Sequence, residues 1–245
     1  MALSQACQQY LDCIAEKIKT AQQHPAPVQQ AAQLIYHSFC SGGFLYVFGT
    51  GHSHMFAEEV FYRAGGLARV KPMLDERLML HRSASQSTAY ERQSGLALEL
   101  FQKSPLTGKD VLLIASNSGR NSVTIEMAQL ARQAGAAVIA LTSLRHSSAQ
   151  ASRHPSGKRL FELSDVVLDN FGETGDACVC VGGVQVAATS TVVGCALLEA
   201  VVAQVVQLGA QAGHPVETFA SSNVDGGDAY NQRLIDRYKT EVPIL

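Results

Sequence analysis

The sequence has no large excess of charge of either sign. Its 245 residues include 19 Lys and Arg and 21 Asp and Glu, so the formal net charge is −2 and only 16% of residues are charged. Without a basic excess there is little electrostatic attraction to nucleic acid or to an anionic membrane, and we expect neither partner. A hydrophobic fraction of 47% excludes a disordered or fibrous chain and is typical of a globular protein.

The six cysteines lack the spacing of a metal site. None forms a C-x-x-C pair, and no second cluster supplies zinc-ligand spacing, so no metal is expected. The first ten residues also lack a positive patch followed by an apolar run, so no signal peptide is expected. These absences predict reduced thiols in a cytoplasmic protein.

One apolar run, at residues 191–208, is long enough to require comparison with a membrane span. It contains Glu199, Gln204 and Gln207, and no basic residues flank it. We therefore expect a buried helix or a helix at a subunit interface, and no membrane partner.

Alternating strand and helix patterns predict an α/β fold. Helical spacing of apolar residues occurs over residues 3–19 and 28–40. Residues 110–142 read as strand, polar loop, helix and strand, which is a βαβ unit. Apolar runs that predict strands lie at residues 44–48, 111–115, 137–141 and 165–168, with a strand or loop at 70–74. The fold class is therefore a doubly wound, Rossmann-like parallel sheet flanked by helices.

A single domain is expected over residues 1–245, because no linker is visible. Helices in residues 1–40 and an extension in residues 210–245 are expected to pack on the core or on a partner subunit. The polar segment 145–159 is expected to be an exposed excursion.

Two loops at predicted strand ends are rich in small polar residues. In parallel sheets, ligands bind beyond the carboxyl ends of strands, and the free N–H groups of a following helix bind anions. A plain helix cap would need one such residue, whereas the second loop supplies several. The candidate anion-binding residues are Gly49, Thr50, Gly51 and Ser53 in the first loop, and Ser116, Asn117, Ser118, Gly119, Arg120, Asn121 and Ser122 in the second.

The first loop does not match a nucleotide-binding motif. It is a G-x-G without the third glycine of a dinucleotide fingerprint, and it lacks the lysine of a Walker A loop. Asp75 or Glu76 stands where a ribose-binding acid would lie, but a lone G-x-G is a weak signal. No nicotinamide or other cofactor is expected.

These motifs resemble the SIS (sugar isomerase) domain over roughly residues 30–210. The resemblance rests on S-x-S-G-x-x-S after a strand, and on an upstream G-x-G-x-S leading to a helix with Phe-Ala-Glu-Glu. The chain is closest to an SIS group related to bacterial phosphoheptose isomerases, with G-H-S-H-M, A-E-E, F-Y-R-A-G-G and a late D-G-G-D. The resemblance implies a sugar-phosphate ligand and a homo-oligomer, a dimer or a tetramer.

The resemblance also implies a reaction. An aldose–ketose isomerisation through an enediol is expected, with Glu59 matching the catalytic glutamate of the phosphoheptose isomerases and His52 or His54 as the acid. Cleavage of the ether of N-acetylmuramate 6-phosphate and non-catalytic sugar-phosphate sensing are the alternatives. The late helix lacks the histidine of the phosphoheptose isomerases. Two solvated acids at a helix start are the alternative for the glutamates, and metal ligation, sugar-hydroxyl binding or structural hydrogen bonding are the alternatives for the two histidines.

Two further clusters have open roles. Glu91 follows a hydroxyl-rich stretch, and a cap or surface role is favoured over a place in a neighbouring subunit's cleft. The polar loop at residues 223–228 is either a plain turn or a segment that closes over the sugar.

Overall fold

The computed structural model of the chain describes residues 2–245. Strands and helices alternate along most of this range. The helices are α1 (Gln5–Gln23), α2 (Ala26–Cys40), α3 (Met55–Val60), α4 (Leu80–Tyr90), α5 (Leu96–Lys103), α6 (Ser122–Gln133), α7 (Leu144–Ser148), α8 (Ser190–Gln211) and α9 (Gly227–Tyr238). The strands are β1 (Leu45–Gly49), β2 (Val70–Met73), β3 (Val111–Ala115), β4 (Ala137–Thr142), β5 (Val166–Asp169), β6 (Ala177–Val181) and β7 (Val184–Ala188).

Strands β1 to β5 form one sheet in the order β2-β1-β3-β4-β5. Each neighbouring pair in this sheet runs parallel. The chain passes from β1 to β2 on one side and later from β3 to β4 and β5 on the other. The strand order therefore reverses between β1 and β3, and the predicted doubly wound α/β fold is confirmed.

The sheet separates two hydrophobic cores. Alternate residues of a strand face opposite sides, so Leu45 and Val47 of β1 pack with α2, α3 and α8, whereas Tyr46 and Phe48 pack with α5, α6 and α9. The strands are buried on both faces, which explains their continuous apolar runs. The ends of the chain take part in this packing, since Ile35 of α2 and Leu234 of α9 are both buried.

Helix α8 is the long apolar run of the sequence. Among residues 2–245 it is the one helix long and apolar enough to cross a membrane by length and composition alone. It lies against α2, α3 and α1. The residue Gly194 packs so closely on α3 that a Cβ there would lie 2.5 Å from the Phe56 ring. Val193, Leu197, Leu198, Val201 and Val205 of α8 are buried, so the helix is part of the core.

Two segments lie outside the parallel sheet. Strands β6 and β7 form an antiparallel hairpin that packs on α1, although residues 177–188 were not expected to be strands. Most of segment 145–159 is exposed, as expected, although α7 occupies its start and the Ser147 side chain is fully buried. The segment is also anchored to the loop that follows β3, where Arg153 donates its main-chain N–H to the Arg120 oxygen at 2.9 Å.

Candidate functional site

The two polar loops lie side by side at the carboxyl edge of the sheet. Gly49 at the end of β1 and Ala115 at the end of β3 are register partners. The strand order reverses between these two strands, and ligands of open α/β sheets bind at such a point. The structure therefore brings together the two loops that the sequence singles out.

The loop after β3 is held in shape by its own polar groups. The Ser116 hydroxyl accepts a hydrogen bond from the Gly119 N–H at 3.2 Å. The Asn117 main-chain oxygen accepts from Ser143 and Thr142. Gly119 has a φ of +56°, and a Cβ there would lie 3.1 Å from Leu160, so a larger residue would be strained and crowded. The protein's own contacts therefore support the conformation of this loop.

Several N–H groups of this loop have no partner in the protein. Within residues 2–245, no hydrogen bond is donated by the main-chain N–H groups of Asn117, Ser118, Arg120, Asn121 and Ser122. The hydroxyl groups of Ser118 and Ser122 likewise make no hydrogen bond in this range. These donors precede or begin α6, where the helix dipole is positive, so together they form a site suited to an anion.

The loop after β1 makes a tight turn against the same edge. A Cβ at Gly49 would lie 2.1 Å from the Ser53 main-chain oxygen, so only glycine permits this approach. Thr50 is buried, and Ser53 donates its N–H to the Thr50 oxygen at 3.0 Å. Gly51 has a φ of +55°. The turn directs the chain into α3 and places His52 on the surface.

Glu91 connects the two loops. Its carboxylate accepts a hydrogen bond from the Thr50 hydroxyl at 2.9 Å, and its main-chain oxygen accepts from the Val123 N–H at 3.3 Å, in the first turn of α6. Burial raises the pKa of Glu91, and this effect exceeds the opposing effects of the Thr50 bond, Arg92 and Arg153. The favoured cap role is confirmed for the main chain, since Glu91 is the C-cap residue of α4. Its side chain is half-buried and does not lie on the open surface, because it bonds to Thr50 of its own chain. The contact spans 41 residues and has no local signal in the sequence.

The two histidines of the first loop are in different environments. His52 is exposed. The buried ring of His54 places Nδ1 2.5 Å from the Gly51 oxygen and Nε2 3.4 Å from the Glu58 carboxylate. His52 is therefore the freer of the two to meet a ligand, and the role of each as an acid stays a prediction.

Glu59 faces helix α8. Its carboxylate forms an ion pair with Arg63, one turn further on, and Arg63 lies 3.7 Å from Glu199 of α8. Burial raises the pKa of Glu199, with a smaller contribution from the charge of Glu59. Within residues 2–245, no hydrogen bond or ion pair joins the Glu59 side chain to either polar loop. The structure thus brings the two loops together and engages Glu59 with Arg63, and the catalytic role of Glu59 stays a prediction.

Two further possibilities concern a metal site and the polar loop at residues 223–228. No group of three or more His, Cys, Asp or Glu side chains that could hold a metal ion occurs among residues 2–245. The D-G-G-D segment forms a turn that leads into α9, with Gly226 at a φ of +81°. Asn231 of α9 ties this region back to the main chain of Ala220 with two hydrogen bonds.

Comparison with known proteins extends these observations. The SIS domain model matches residues 9–143. A UPF0309 protein of Geobacillus thermodenitrificans is 43% identical, covering 97% of this chain and 96% of its own length. A UPF0309 protein of Halalkalibacterium halodurans is 46% identical, covering 85% of this chain and 87% of its own length.

Two solved structures share the fold. A phosphoheptose isomerase from Neisseria gonorrhoeae superposes with a TM-score of 0.51 and 21% identity, over 81% of this chain and 97% of that protein. A phosphoheptose isomerase from Francisella tularensis gives a TM-score of 0.54 and 17% identity, over 84% of this chain and 100% of that protein. At these identities the similarity concerns the fold.

Proposed function

Because the chain belongs to the SIS domain family, as a relative of the UPF0309 proteins, we propose that it binds a sugar phosphate and isomerises it. The phosphate lies on the loop at residues 116–122, and the sugar extends toward Gly51 and His52. The proposal includes a homo-oligomer, which the sequence resemblance implies, in the cytoplasm, which the expected reduced thiols favour.

One observation supports the binding function most strongly. Five main-chain N–H groups, those of Asn117, Ser118, Arg120, Asn121 and Ser122, lack partners within residues 2–245. Buried or partly buried donors are normally paired, so a group of free donors at one loop indicates a ligand that accepts from them. A phosphoryl group has enough oxygens to accept several such bonds and is stabilised by the dipole of α6.

The proposed reaction moves a proton between C1 and C2 of the sugar. Glu59 acts as the base and His52 or His54 as the acid, and the intermediate is an enediol. The phosphate and the reacting carbons are at opposite ends of the sugar, so C1 and C2 would lie away from the phosphate loop. For Glu59 to reach them, the sugar must extend along α3, and the carboxylate must leave its ion pair with Arg63.

That ion pair favours a second candidate, a non-catalytic sugar-phosphate sensor. A sensor needs the free amides but no base, and Glu59 engaged with Arg63 is compatible with such a role. The two functions differ in one property: only the isomerase exchanges the C2 hydrogen of its ligand with solvent.

The binding proposal is tested first by a thermal-shift screen. Hexose, hexosamine and heptose phosphates are compared with their parent sugars, and only the phosphates should raise the melting temperature. Calorimetry on a positive ligand then compares the wild type with the double variant Ser118→Ala/Ser122→Ala. Loss of two hydroxyl donors to a charged group should weaken binding by about 1–3 kcal/mol, which is roughly 5- to 150-fold.

The matched control is the double variant Ser41→Ala/Ser94→Ala, which removes two exposed hydroxyl groups elsewhere. It should bind like the wild type. Equal affinity of all three proteins, or stabilisation by the parent sugars as well, would rule out the proposed phosphate loop. Incubating the bound ligand in deuterated water and following its C2 proton by NMR separates the isomerase from the sensor.

A further inference from the structure

Residues 149–159, here called the strap, lie over the candidate anion loop. Arg153 donates its main-chain N–H to the Arg120 oxygen at 2.9 Å. The Arg120 side chain in turn donates to the Gln150 side chain at 3.0 Å. Just beyond the strap, Leu160 donates its N–H to the Gly119 oxygen at 2.8 Å. These bonds join the strap to the loop across about 30 residues of sequence and give it a defined position.

The Arg153 guanidinium is held at the start of α6. Asn121 occupies the N-cap position of this helix but makes no side-chain capping bond. Its side-chain oxygen instead accepts a hydrogen bond from Arg153 Nη1 at 2.9 Å. The side-chain oxygen of an N-cap asparagine normally accepts from the N–H of the second or third helical residue, and here it positions an arginine instead. Among the described residues, the N–H groups of residues 120–122 are free independently of this cap.

The positive charge at this place is offset only in part, by the Glu91 carboxylate. Within residues 2–245, Arg92, Arg120 and Arg153 form no ion pair, although many of the chain's other arginines do. The Nε atom of Arg120 is buried and has no hydrogen-bond partner. Burial and the nearby charges of Arg120 and Arg92 lower the pKa of Arg153, while Glu91 has the opposite effect. An anion at the loop would relieve this repulsion.

We propose that Arg153, which the strap positions at the phosphate loop, is a ligand of the anion and favours a charged phosphoryl group over an uncharged sugar. This inference rests on the proposed function. The guanidinium donates one bond to Asn121 and has further N–H groups for phosphate oxygens, which it matches in geometry better than an ammonium group does. The free amides and hydroxyls of the loop are neutral donors, and the guanidinium of Arg120 donates to Gln150. Arg153 therefore adds a formal charge that distinguishes a phosphate from an uncharged sugar oxygen.

The test measures the affinity of the full chain for inorganic phosphate and for the best sugar phosphate of the thermal-shift screen. Arg153→Gln should raise the dissociation constant about 10- to 100-fold, as expected for loss of one charge-assisted contact. Arg153→Lys, which keeps the charge but loses the planar group, should give an intermediate value. The control Lys158→Gln removes the same charge from an exposed side chain of the same strap and should bind as the wild type does.

The outcomes separate the two proposals. If Ser118→Ala/Ser122→Ala weakens binding while Arg153→Gln matches Lys158→Gln, the phosphate loop stands and the role of Arg153 is wrong. If the wild type binds neither inorganic phosphate nor any sugar phosphate, both proposals fall. Circular dichroism and the melting temperature of each variant establish that it is folded. If Arg153→Gln is unstable, Arg153→Lys decides the matter: an affinity below that of the wild type supports the role, and an affinity equal to those of the wild type and of Lys158→Gln contradicts it.

Discussion

The hydroxyl of Thr50 donates to the carboxylate of Glu91 at 2.9 Å, and this bond joins the two loops at the carboxyl edge of the sheet. Thr50 is the first residue after β1. The main-chain oxygen of Glu91 accepts from the Val123 N–H in the first turn of α6. The relative position of the two loops therefore depends on a partly buried carboxylate whose pKa is raised by that burial.

Replacing Glu91 by Gln should change the pH dependence of stability. The folded pKa of Glu91 is raised above its ordinary value of 4.5, so the folded chain binds more protons than the unfolded chain just above that pH. The free energy of unfolding of the wild type therefore falls as the pH rises from 4.5 to the raised pKa of Glu91. We expect Glu91→Gln to be more stable relative to the wild type at pH 7.5 than at pH 4, in denaturant titrations. The exposed control Glu16→Gln should show no such pH dependence, and a constant difference for Glu91→Gln would contradict the assignment.

The serines of the second loop should separate into two classes. The Ser116 hydroxyl accepts from the buried Gly119 N–H, so Ser116→Ala leaves that donor unpaired and should cost about 1–2 kcal/mol of unfolding free energy. The Ser118 hydroxyl has no partner within residues 2–245, so Ser118→Ala should leave stability within about 0.5 kcal/mol of the wild type. Chemical denaturation of both variants checks this, and equal losses would show that the loop is not organised in this way.

Gly119 should tolerate alanine poorly. A Cβ at this position meets two obstacles: a φ of +56°, and contacts of 3.1 Å with Leu160 and with the Ser147 hydroxyl. Gly182 in the β6–β7 turn has a similar φ of +58° but nothing within 4 Å of its Cβ position. Gly182→Ala should therefore cost about 1 kcal/mol from backbone strain alone, and Gly119→Ala should cost more. Equal midpoints of denaturation for the two variants would contradict the predicted crowding at Gly119.

Glu59→Gln tests the proposed chemistry separately from binding. If Glu59 is the base, the variant should keep its affinity for the sugar phosphate and lose C2 hydrogen exchange by roughly 10²- to 10⁴-fold. The activity control is Glu16→Gln, which makes the same substitution at an exposed residue of α1. Undiminished exchange in Glu59→Gln would exclude Glu59 as the base, and the absence of exchange in the wild type would favour the sensor.

Local patterns predicted the sheet and the position of the two polar loops. The runs at β1 and β3 are continuous and apolar because both faces of the sheet are covered, and a loop of small polar residues at each strand end follows from the sequence alone. Parallel pairing then places Gly49 beside Ala115. The local sequence and the fold class are therefore enough to predict that the two loops lie side by side.

The rest depends on contacts between distant segments. Glu91 bonds to Thr50, 41 residues away, and Arg153 bonds to Asn121, 32 residues away. The residues next to Glu91 and Arg153 in the sequence therefore predict neither contact. The direction of Glu59 depends on how α3 packs against α8. The β6–β7 hairpin did have a local signal, since Gly182-Gly183 lies between two runs rich in valine, and a two-glycine turn permits the positive φ that tight hairpins need.

The most direct test of the central claim is an amide NMR titration of the isotope-labelled chain with inorganic phosphate and with the parent sugar as a control. The account predicts that phosphate shifts the N–H signals of Asn117, Ser118, Arg120, Asn121 and Ser122 more than signals elsewhere in the chain, and that the sugar without phosphate does not. Saturable phosphate binding that leaves these five signals unchanged would contradict it.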